Sequence, residues 1–233
     1  MVGRRWFLPA LAGAAGWALL VRPRLLRWGA TRAEAARRYP GDDLLGPPDG
    51  RSTMAATLPA PPEAVWPWLV QLGCGRAGWY SWDRLDNGGR PSAERIVPEW
   101  QDLAVGDRLD SVPSGATWFT VALLDPSRTL VLRTDLELPS GRVFDPRGPW
   151  PHDYTADVWG FHLHPLPDGR TRLVVRTLGR GRPRWAARVS NILIGEPAHL
   201  VMQLRQFQNL RRRLERPAGR AREIAEPAAA QGA

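Results

Sequence analysis

The sequence predicts an α+β domain in which a curved antiparallel sheet wraps around a long C-terminal helix. Leu200, Val201, Leu204, Phe207, Leu210 and Leu214 recur three and four residues apart between Pro197 and Arg216, the longest unbroken helical period in the chain. Five segments between Asp107 and Leu178 have strand character and are separated by turns short enough to join antiparallel neighbours. One strand-like and one helical segment precede them, so helices and strands are segregated along the chain rather than alternating.

Taken in order, the chain opens with Trp6–Val21, sixteen residues without a charge, flanked by Arg4 and Arg5 before and Arg22 and Arg24 after. Leu25, Leu26 and Trp28 extend this run toward the length needed to cross a bilayer, so residues 1–28 read as an uncleaved, single-pass membrane anchor. Six arginines between Arg22 and Arg38 place the body in the cytoplasm by the positive-inside rule. Export is the alternative, because Arg4-Arg5-Trp6-Phe7-Leu8 is similar to the core of twin-arginine signals. Residues 29–50 read as a linker carrying a short helix over Thr31–Arg38 and ending in the turn cluster Pro47-Pro48-Asp49-Gly50.

The globular body is expected over residues 51–216. A strand over Arg51–Leu58 leads to Pro61-Pro62-Glu63, which opens a helix carrying Val65, Trp66, Leu69, Val70 and Leu72. A polar-aromatic cluster, Trp79-Tyr80-Ser81-Trp82-Asp83, ends in the turn Asp86-Asn87-Gly88-Gly89. Strands follow over Asp107–Val112, Ala116–Leu124, Arg128–Leu136, Thr155–His164 and Thr171–Leu178. In the fourth of these, Trp159, Phe161 and Leu163 share the face expected to point inward, with Val158, His162 and His164 on the other. In the fifth, Leu173 and Val175 oppose Arg172 and Arg176, the alternation of a sheet wetted on one side. The final helix starts at Pro197 and stops before Pro217 and Gly219, and residues 217–233 have too few apolar anchors to order themselves.

Composition narrows the function classes. All 32 basic residues are Arg, and the net charge of +9 divides into +7 over residues 1–38, −2 over 39–204 and +4 over 205–233. A nucleic-acid module carries its basic stripe on the folded body, so no nucleic-acid partner is expected; terminal arginines beside an apolar run fit an anionic lipid surface. Cys74 is the single cysteine, which excludes an intramolecular disulfide. No phosphate loop and no Gly-x-Ser-x-Gly elbow occurs, and His162 and His164 lack a third ligand at a recognisable spacing. No cofactor and no metal is expected.

Several phrases carry a family resemblance: Ala60-Pro61-Pro62-Glu63-Ala64-Val65-Trp66-Pro67-Trp68-Leu69, Tyr80-Ser81-Trp82, Arg95-Ile96-Val97-Pro98-Glu99-Trp100-Gln101 with Gly106-Asp107, and Glu196-Pro197-Ala198-His199. Together they resemble bacterial members of the SRPBCC superfamily, the START/Bet v 1-like helix-grip group, over roughly Arg51–Leu214. The resemblance implies a deep apolar cavity between sheet and long helix, holding a lipid, a polyketide or another apolar molecule. Some members are cyclases or dehydratases, and no catalytic residue is carried over to this chain.

Aromatic residues near these phrases are the expected ligand wall: Trp79, Tyr80, Trp82, Trp100, Trp118 and Trp159, with Phe161 beside them on the inward strand face. Leu204 and Phe207, on the apolar stripe of the last helix, are expected to line the same cavity. The expected function is binding or carriage of a hydrophobic small molecule at the membrane surface. An enzyme of cyclase, dehydratase or isomerase type, with Asp83 or Glu99 as the acid–base group, is the alternative. A third reading has the tryptophans fill the cavity themselves, leaving only a partner-binding surface.

Overall fold

The computed structural model describes residues 16–215. The six strands β1 (Gly50–Leu58), β2 (Arg108–Asp110), β3 (Trp118–Asp125), β4 (Thr129–Glu137), β5 (Tyr154–Pro165) and β6 (Thr171–Arg182) form one curved antiparallel sheet in the order β1-β6-β5-β4-β3-β2. Each lies within a few residues of its sequence-based expectation. The helices are α1 (Arg22–Leu25), α2 (Arg32–Ala36), α3 (Pro62–Val70), α4 (Asp83–Asp86), α5 (Arg184–Ser190) and α6 (Glu196–Glu215). The α+β architecture with a long C-terminal helix is therefore as expected, while the tail over 217–233 lies outside the described residues.

Strand alternation sets the two faces of the sheet. Met54, Leu132, Phe161, Leu163, Leu173 and Val175 point to one side and pack with α3 and with Phe207 and Leu210 of α6. Trp159, Phe161 and Leu163 thus face inward, as their spacing predicts. The other face is not wetted in the way the Arg172/Arg176 alternation suggests: Arg176 is only 2% exposed. The chain over 30–49 lies across it, with Tyr39 packed against Ala55 and Val174.

The covering segment is held by buried ion pairs together with the apolar contacts of Tyr39, Leu44 and Leu45. Arg176 donates to both carboxylate oxygens of Asp42 at 2.9 Å, to the carbonyls of Ala35 and Arg37, and to the Thr53 hydroxyl. All five guanidinium N–H groups thereby find acceptors, which a buried arginine requires. Arg172 makes a second clamp on Glu34 at 2.7 Å. Glu34 also completes the capping box of α2 with Thr31, and these bonds, led by the one from Arg172, hold its carboxyl down at about 2.

The expected single-pass N-terminal anchor with a cytoplasmic body is overturned. Among the described residues no helix is long and apolar enough to cross a membrane. The side chains expected to lengthen the apolar run are instead used by the domain. Trp28 stacks on Phe207 with ring centroids 6.5 Å apart, and the carbonyls of Leu26 and Trp28 accept hydrogen bonds from Thr53 and Ala55 on the edge strand β1. Gly29, at φ +72°, permits this approach, since a Cβ there would collide with the Ala55 carbonyl. Residues 1–15 of the expected anchor lie outside the described residues.

Candidate functional site: a cavity between sheet and long helix

A cavity of about 560 Å³ lies between the inner face of the sheet and the first turns of α6. Trp79, Phe119 and Trp159 supply its aromatic side, with centroid separations of 5.4 Å for Trp79–Trp159, 5.5 Å for Trp79–Phe119 and 5.8 Å for Phe119–Trp159. Met54 of β1 and Leu200, Val201 and Met202 of α6 add aliphatic surface. Leu25 and Leu26 line it as well, so the N-terminal segment is part of the wall. Arg22 ties that segment to the start of α6 through two bonds to Glu196, at 2.7 and 2.6 Å, and both residues border the cavity.

Polar groups interrupt this apolar surface at definite points. On α6, His199, Gln203 and Gln206 stand at i, i+4 and i+7 and so share a stripe turned toward the cavity. Gln203 donates to Gln206 at 2.8 Å, and Gln206 donates to the Trp79 carbonyl at 2.9 Å, leaving the Gln203 carbonyl oxygen without a partner. Burial alone lowers the His199 imidazole to about 4, so it is neutral at physiological pH, and its Nε2 is unpaired.

Two carboxyl groups besides Glu196 line the same space. Asp86, 6% exposed, has neither oxygen in a hydrogen bond of ordinary geometry; burial first and the Asp83 charge second raise it to about 6, with the nearby Ser81 hydroxyl opposing. Asp157 precedes Trp159 by two residues and so shares its inward face. It accepts from the Thr155 hydroxyl at 2.7 Å, and burial raises it to about 6. Gly179, its cross-strand partner, leaves room for it, since a Cβ there would come within 2.9 Å of the Asp157 carboxylate.

The residues expected from sequence to form the ligand wall are divided. Trp79 and Trp159 line the cavity. Tyr80 is fully buried beside it at φ 56°, held by its hydroxyl, which accepts from Gln71 at 2.7 Å, and by its carbonyl, which accepts from Asn209 at 3.0 Å. Phe161, Leu204 and Phe207 are packed in the main core and do not border the cavity, and Trp100 is half-buried against that core. Trp82 is 44% exposed beneath Arg205, and Trp118 lies under the Arg108 guanidinium, 3.8 Å from the ring centroid. Neither Asp83 nor Glu99 reaches the cavity: Asp83 accepts from Ser92 at 2.5 Å and Glu99 is exposed. Phe119 on the aromatic side and the polar Ser81, Asp86, Asp157, His199, Gln203 and Gln206 are among the cavity residues not expected from the sequence.

His162 and His164 lie on the opposite, outer face, with Tyr39 4.7 and 6.2 Å away. Burial, aided by His164 and Arg176, lowers His162 to about 3.

No family model matches the chain, and no curated protein matches it. Among solved structures it is similar to a protein of Mesorhizobium loti at 22% identity, covering 71% of this chain and 97% of that one, with a TM-score of 0.40. A protein of Arthrobacter aurescens matches at 15% identity over 72% and 87% of the two chains, TM-score 0.40. One of Chromobacterium violaceum matches at 17% over 72% and 98%, TM-score 0.39. All three scores are low, and no functional statement rests on them.

Proposed function

We propose that the protein binds and carries a hydrophobic small molecule, an aromatic or other ring compound, in the cavity between α6 and the sheet, as a helix-grip protein of SRPBCC type. The observation that carries this reading is the cavity itself: about 560 Å³ with an aromatic side formed by Trp79, Phe119 and Trp159. That volume is in the range of small-molecule sites, and packed interiors hold few voids larger than a water molecule. A space bordered by Trp79 and Trp159 supports this reading over one in which the tryptophans fill the interior.

An acid–base enzyme is the second reading, favoured by the two cavity carboxyls raised to about 6. It transfers the acid–base role from Asp83 and Glu99, which do not reach the cavity, to Asp86 and Asp157. Solvent extraction and untargeted mass spectrometry of the purified protein test the binding reading. A stoichiometric ring compound that is lost on denaturation is the expected result; a protein that yields none and takes up none when incubated with a lipid and aromatic extract contradicts it.

A further inference from the structure

Resting on the ligand-binding reading above, we propose that the molecule this cavity takes is a neutral ring compound that donates hydrogen bonds, and that an otherwise identical carboxylate is excluded. Buried polar groups in folded proteins almost always have partners, and each exception carries an uncompensated desolvation penalty, so several around one cavity describe what is missing from it. Three residues bordering this cavity carry such atoms, Gln203 Oε1, His199 Nε2 and Trp159 Nε1, and the Asp86 carboxylate has beside it the Ser81 hydroxyl, with no bond of full geometry to either of its oxygens. Ser81, Asp86 and Gln203 are 5%, 6% and 1% exposed, so bulk water does not satisfy them.

Their chemistry is unequal. Asp86 and Gln203 present three acceptor oxygens, Ser81 and a neutral His199 can act either way, and the Trp159 indole N–H is the one atom that only donates. A hydroxyl on a ring stacked against Trp79 and Trp159 gives its proton to an acceptor and offers its oxygen to a donor, which matches this set. A carboxylate offers acceptors alone and would face Asp86 and Asp157. Of the two arginines that border the cavity, Arg22 is already engaged by Glu196, and Arg51 alternates with Met54, so that its guanidinium lies on the outer face toward Asp42. A plain hydrocarbon would leave all of these atoms unpaired.

The test is isothermal titration at pH 7.5 with three probes of one ring system, naphthalene, 2-naphthol and 2-naphthoate. The proposal expects 2-naphthol to bind at least tenfold more tightly than naphthalene, with 2-naphthoate the weakest. It also expects the naphthol preference to fall below about twofold in the double variant Asp86→Leu/Gln203→Met, chiefly because naphthalene binds more tightly to the less polar wall, its binding also showing that the cavity persists. Equal binding of all three probes, tightest binding of the naphthoate, or a naphthol preference that survives in the variant would each overturn it while leaving the cavity a binding site. If the variant loses naphthalene binding, the order of the three probes on the unsubstituted protein decides. Failure of all three to bind removes the ligand-binding reading and this inference together.

Discussion

Gln206 Nε2 donates to the backbone carbonyl of Trp79 at 2.9 Å, and both residues are almost completely buried. This bond joins the long helix to the segment that forms the opposite wall of the cavity, and the Gln203 amide completes it from one turn earlier at 2.8 Å. Replacing Gln206 by Leu leaves the Trp79 carbonyl unpaired, which costs about 1–3 kcal/mol. Urea unfolding followed by tryptophan fluorescence should show that loss, with an unchanged dependence on urea concentration. No change in midpoint would mean that the bond does not hold the wall.

Phe207 behaves as core. It is 4% exposed, packed with Leu210 and stacked on Trp28, and it does not border the cavity. Phe207→Ala should therefore cost about 3–5 kcal/mol, the amount expected for emptying a packed site. A loss below about 1 kcal/mol in the same unfolding measurement would return Phe207 to the cavity wall.

The clamp between Arg176 and Asp42 has side-chain exposures of 3% and 8%. Removing one partner strands a buried charge, so Arg176→Met should destabilise by about 3–5 kcal/mol, and the double variant Arg176→Met/Asp42→Asn should recover part of it. Additive losses in this cycle would show that the two groups do not act as a pair.

The outer face also sets a pH dependence. His162 is held near 3 in the folded protein against 6.5 when unfolded, by burial together with His164, Arg176 and Arg37, with Asp42 opposing; Tyr39 and Thr129 are its uncharged neighbours. A group whose folded pKa is depressed contributes stability above its unfolded pKa and loses it as pH falls toward the folded value. Stability should therefore decline between about pH 6.5 and pH 3 more steeply than in His162→Asn, narrowing the gap between the two proteins. Parallel urea midpoints from pH 7 to pH 4 would contradict this.

Much of the fold was legible because its signals are periodic. All six strands and the span of α6 follow from alternation and from the Leu200–Leu214 stripe. The cavity lining was harder to read because periodicity sends polar residues outward, and a hollow interior reverses that rule for a few of them. Gln203 and Gln206 fall off the apolar stripe yet are each 1% exposed. Asp86 looked like turn chemistry, and only its place in α4 beside the cavity distinguishes it. Asp157 was accessible in principle, since it shares its parity with Trp159 and Phe161, and a carboxylate on an apolar strand face is the signal that could have found it. The segment over 30–49 gave no sign of covering the sheet, because its apolar fastenings, Tyr39, Leu44 and Leu45, are too few to form a periodic run and the others are the charged Glu34 and Asp42.

The most direct measurement of the central claim is titration of the neutral dye Nile red into the protein and into a cavity-filled variant, Leu200→Trp/Thr177→Phe, both positions bordering the cavity. The account predicts saturable binding at one site in the parent, at least tenfold weaker in the variant, with thermal stability equal or higher because the added rings occupy existing space. Nile red that fails to saturate on the parent, or binds the variant with undiminished affinity, would contradict it.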